Sequence, residues 1–62
     1  MQAADVAGWR TRMGYSQNRA AEVLGVARRT FIYWENGDTP VPRTAELAMA
    51  AIERGAVNDL LP

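Results

Sequence analysis

Cysteine, histidine and lysine are absent from this 62-residue chain, and Ser16 is its only serine. Without cysteine or histidine there is no disulfide, no zinc finger, no thiol or imidazole catalysis, and few donors for a transition metal. One serine without an imidazole base makes an activated nucleophile unexpected as well, so neither an enzyme nor a metal or other cofactor is expected. No apolar run approaches the roughly 18 residues of a membrane span, and no basic-then-apolar leader opens the chain. A cytoplasmic protein without a membrane partner is therefore expected. Internal repeats, low-complexity segments and β-hairpin signals are also missing.

What is present is a globular composition, 48% hydrophobic. A chain of this size makes one domain and buries only about 60% of its unfolded surface, so modest stability is expected. The formal charge is zero, but its distribution is uneven. Residues 9–43 hold Arg10, Arg12, Arg19, Arg28, Arg29 and Arg43 against Glu22, Glu35 and Asp38, a net +3, and the remainder is net −3. All seven cations are arginine, the side chain suited to bidentate contact with phosphate and guanine. One face for DNA and one for solvent or a partner would give this pattern.

Glycine and proline punctuate the chain into four helices with short connections, which predicts an all-α fold. The first helix is expected over about Ala4 to Met13, with Val6, Trp9, Arg10 and Met13 on one side and Gly14 as its stop. Ser16 caps a second helix from Gln17 to Leu24, where Ala20, Ala21 and Leu24 face inward and the small alanines allow a close crossing. A third helix runs from about Arg28 to Asn36 after the hinge at Gly25, with Ala27, Thr30, Phe31 and Trp34 inward. Asp38-Thr39-Pro40-Val41-Pro42 cannot continue a helix and reads as a turn. The fourth helix starts near Pro42 or Arg43 and continues to Arg54, with Leu47, Ala48, Ala51 and Ile52 as its buried stripe. Residues 1–55 form the domain, and residues 56–62 form a tail.

The third helix carries the functional expectation. Counting about 100° per residue places Arg28, Arg29, Ile32, Tyr33 and Asn36 on its outer face. Two arginines in a first turn contradict local energetics, because that end carries the positive pole of the helix dipole and unsatisfied N–H groups. A phosphate-lined groove supplies the missing negative charge. There Arg28 and Arg29 are expected to read guanine O6 and N7, Ile32 a thymine methyl, and Tyr33 and Asn36 bases or phosphates. Arg19, in the same basic segment, is expected at the DNA backbone.

Tyr15-Ser16-Gln17, Ala20-Ala21, Leu24-Gly25-Val26 and Phe31-Ile32-Tyr33-Trp34-Glu35-Asn36-Gly37 together resemble the helix-turn-helix domain of lambdoid phage repressors and Cro proteins. The resemblance covers about residues 5–55 without an insertion in the motif. It implies a compact bundle of four to five helices, like the DNA-binding domain of lambda repressor, whose third helix enters the major groove. It also implies transcriptional repression as the family default, with a phage or mobile element as the expected setting and a chromosomal one left open. By this resemblance Gln17 binds a phosphate and buttresses the first recognition residue, and Arg28, Arg29 and Tyr33 read bases. Asn36, Thr39 and Arg43 take the positions of the backbone-contacting loop and helix start. Arg10 and Glu35 are implied to form a partly buried ion pair between the first and third helices. Ala27 departs from the family's Ser, Thr or Gly, since it cannot cap with a side chain. The seven-residue tail is shorter than the family's fifth, dimer-forming helix.

One recognition helix reads too few base pairs to find an operator, so a homodimer on palindromic double-stranded DNA is expected, with half-sites about 34 Å apart. Val57, Leu60 and Leu61 in the tail are the expected dimer contact. The alternative is a helical protein-interaction module of the antitoxin type, whose partner is a protein such as a toxin.

Overall fold

The computed structural model describes residues 1–55, in which four helices follow one another: α1 (Ala3–Met13), α2 (Gln17–Leu24), α3 (Arg28–Asn36) and α4 (Arg43–Glu53). The described chain is all-α, as the punctuation predicts, and contains no strand. No helix among these residues is long and apolar enough to cross a membrane. Val57, Leu60 and Leu61, the expected dimer contact, lie outside the described residues.

Local chemistry explains the boundaries. α1 begins at Ala3, one residue earlier than expected, because the Asp5 carboxylate accepts from the Gln2 backbone N–H at 3.0 Å and satisfies an orphan donor of the first turn. The Ser16 hydroxyl accepts from the Arg19 N–H at 3.0 Å and caps α2. α2 ends where Gly25 takes φ +73°, and the Val26 N–H donates back to the Ala21 carbonyl at 3.0 Å. That left-handed turn swings the chain into α3 within three residues, and only glycine adopts it without strain.

Around this frame Val6, Trp9, Ala20, Ala21, Phe31, Trp34, Ala45, Met49 and Ile52 close into one buried core. Trp9 sits at its centre. Its indole N–H donates to the Met49 carbonyl at 3.1 Å, and its ring meets Tyr15 edge-on at 5.7 Å between centroids. The buried indole thereby has its donor satisfied while contributing a large apolar surface.

Two packing expectations need correction. On α4 the buried residues are Ala45, Met49 and Ile52; Ala48 and Ala51 are half-buried, and Leu47 is 54% exposed. An unbroken apolar run from Leu47 to Ile52 lets the pattern fit several rotations about the helix axis. Tertiary packing selects the rotation in which Met49 is buried beneath Trp9, and Leu47, roughly 200° away, faces outward. Ala27 is exposed because it is the N-cap of α3, with extended backbone (φ −66°, ψ 147°), and so does not share the helix's angular count.

Candidate nucleic-acid interface

α3 is held by two of its residues, Phe31 and Trp34, both in the core. Their burial orients the remaining positions. Arg28, Arg29, Tyr33 and Asn36 are exposed, whereas Ile32 is half-buried at the edge of the packed face and offers only part of its side chain. The first turn of α3 has no acidic residue and no side-chain cap, so the positive end of the helix opens directly beside Arg28 and Arg29. Among the described residues neither arginine has an ion-pair partner. An anion would be stabilised there by two guanidinium groups and by the N–H groups of the helix start.

Four further arginines, Arg10, Arg12, Arg19 and Arg43, are engaged. Arg19 pairs with Glu22 one turn along α2, and Arg43 with Glu46 along α4 at 3.5 Å. Such exposed pairs within one turn are weak, so both arginines can exchange a carboxylate for a phosphate at little cost. Arg12 straps α1 to α4 through a two-pronged contact with Glu53, at 2.6 and 3.0 Å. Asn36 and Thr39 lie exposed at the end of α3 and in the turn that follows.

Glu35 organises the inner side of this surface. Its Oε2 accepts from Arg10 Nε at 2.6 Å, and its Oε1 accepts from Gln17 Nε2 at 2.7 Å. Arg10 also donates through Nη1 to the Tyr15 carbonyl at 3.0 Å. A single carboxylate on α3 thus ties down α1 and the first residue of α2, and Arg10 itself holds the α1–α2 turn. The Glu35 side chain is 9% exposed and that of Arg10 27%. Partial burial pushes the Glu35 carboxyl up, but the hydrogen bonds from Arg10 and Gln17, together with the Arg10 charge, outweigh it and hold the group below the usual carboxylate range.

Gln17 also makes a contact beyond the expected ones. The side chain bonds to Glu35, and no hydrogen bond joins it to Arg28. Periodicity within one helix could not show this, because the partners lie 18 residues apart on different helices. The available signal was one acidic residue, Glu35, beside the aromatic inward face of α3. The Arg12–Glu53 strap was equally invisible, both residues reading as ordinary exposed charges.

Comparison with known protein families, curated proteins and solved structures finds no match to this chain. The functional reading therefore rests on the arrangement of its own side chains and on the helix-turn-helix resemblance.

Proposed function

We propose that this protein is a sequence-specific DNA-binding transcription regulator, a repressor by family default, that inserts α3 into the major groove of a palindromic operator as a homodimer. The observation that carries the reading is the start of α3. Arg28 and Arg29 stand exposed and without acidic partners among the described residues, over an uncapped helix end that favours anions. Gln17 at the start of α2 adds an amide donor, and Arg19 and Arg43 add cations whose present pairs are easily exchanged. In the groove Arg28 and Arg29 read guanines, Tyr33 and the accessible part of Ile32 contact neighbouring base edges, and Gln17, Arg19, Asn36, Thr39 and Arg43 hold the backbone.

The test is selection of duplexes from a randomised pool, followed by fluorescence anisotropy on the selected and scrambled sequences at stated salt. Enrichment of a palindrome bound at least 10³-fold more tightly than scrambled DNA is the expected outcome. Equal affinity for all duplexes would refute sequence reading, and no binding at low salt would refute the DNA reading altogether.

A second reading is supported by α4. Leu47 is more than half exposed, and nearby a groove of about 210 Å³ is lined by Leu24, Val26, Trp34, Pro42, Thr44, Ala45 and Ala48. An exposed apolar surface of this kind suits an antitoxin-type contact with a partner protein. Co-purification of a stoichiometric partner that is lost in Leu47→Asp would favour it.

A further inference from the structure

Gln17 is half-buried at the first position of α2, and its carboxamide NH2 carries two N–H groups. One donates to Glu35 Oε1 in the last turn of α3 at 2.7 Å. The other has no partner among the described residues, and the capped N-terminus of α2 fixes the backbone that carries it. A carboxylate can only accept, so this bond also settles which end of the amide is which: nitrogen toward Glu35, with the second N–H remaining to be donated. Glu35 is in turn neutralised by Arg10 at 2.6 Å. A bare carboxylate behind Gln17 would repel an incoming phosphate, whereas a neutralised one holds the amide without that repulsion.

We propose that Glu35, with Arg10 as its counter-ion, is a positioning residue for DNA-backbone contact: it fixes the Gln17 amide so that the second N–H meets a phosphate. The inference rests on the DNA-binding reading and deepens it. The partly buried ion pair between α1 and α3 is then also part of the binding surface, acting through one intervening side chain. Without Glu35 the Gln17 side chain has no acceptor to hold it, and rotamer freedom must be lost on binding. The contact is to phosphate, so it acts on every sequence alike and is measurable before any operator is known.

The test is a double-mutant cycle on a mixed-sequence double-stranded DNA at low salt, read by fluorescence anisotropy. Gln17→Ala is made in the wild-type chain and in the Arg10→Met/Glu35→Met chain, where the ion pair is replaced by apolar side chains of similar size, a change that commonly preserves folding. Any Coulombic effect of removing the two charges is present with and without Gln17 and cancels in the cycle. In the wild-type background Gln17→Ala is expected to weaken binding about tenfold, the size of one hydrogen bond to a charged group. In the ion-pair-free background it weakens binding by less than about threefold. Thermal melts report any structural cost separately, and that cost does not depend on Gln17 in this way. Equal weakening in the two backgrounds, or none in the wild-type chain, overturns the positioning role while leaving DNA binding intact. Failure of the wild-type protein to bind the duplex overturns the DNA reading, and this inference with it.

Discussion

Replacing Glu35 by alanine removes the acceptor shared by Arg10 and Gln17 and leaves the Arg10 guanidinium in a site where its side chain is 27% exposed. An unpaired charge in a fully buried site costs about 3–5 kcal/mol, and loss of a fully exposed pair about 0–1 kcal/mol. Glu35 is close to the first limit at 9% exposure, but water reaches Arg10, so solvent screening brings the loss to about 2 kcal/mol. For a domain of this length each kcal/mol moves the midpoint by about 4–8 °C, so Glu35→Ala should melt about 8–16 °C lower at neutral pH. Arg10→Met/Glu35→Met should melt within a few degrees of wild type, since it leaves no charge unpaired. The effect also has a sign in pH. The Glu35 carboxyl is held below its unfolded value, so its contribution is complete above the ordinary glutamate range and fades as pH falls through the lower folded value. Circular-dichroism melts of wild type and Glu35→Ala should therefore converge in acid, below the ordinary glutamate range. A shift of only a degree or so at neutral pH, or a gap that stays constant down to acid, would refute the coupling of three helices through this carboxylate.

The rotation of α4 makes Met49→Ala costly, by about 2–5 kcal/mol, and Leu47→Ala nearly silent, within about 0.5 kcal/mol; urea titrations with the two outcomes reversed would mean that α4 turns the other face inward. Gly25→Ala meets open space, yet its φ of +73° strains any L side chain, so urea unfolding should show a loss of about 1–2 kcal/mol with the fold retained. On a selected operator, Arg28→Ala or Arg29→Ala should cost about 1–3 kcal/mol and relax preference at one base pair per half-site. Arg43→Ala should instead weaken binding to all sequences and lower the salt slope by about one, and a salt titration that is unchanged would remove Arg43 from the backbone contacts.

Much of the fold is written in local chemistry. Ser16 and Gly25 bracket α2, Gly37 and Pro42 separate α3 from α4, and the aromatic pair Phe31 and Trp34 marks the buried side of α3. These signals act over one turn of chain, which is the range over which a sequence pattern is informative. The rotation of α4 was not legible, because a helix with apolar residues around most of its circumference does not encode one inward direction. Nor was the Gln17–Glu35 contact, since it is made by the crossing of α2 and α3 between residues 18 apart in the chain. The outer face of α3 was readable because Arg28 and Arg29 break a local rule without any structural compensation among the described residues.

Only Phe31 and Trp34 of the nine residues in α3 are buried, so the helix is anchored by one side and free to vary on the other. Substitutions at Arg28, Arg29, Tyr33 and Asn36 touch no core contact and should each change stability by less than about 0.5 kcal/mol. Folding and surface chemistry are therefore inherited as separate traits. A lineage of such domains can drift through many outer faces while its scaffold stays above the threshold of stability. The same separation makes these four positions a natural library, in which nearly every member folds and only what it recognises is under selection.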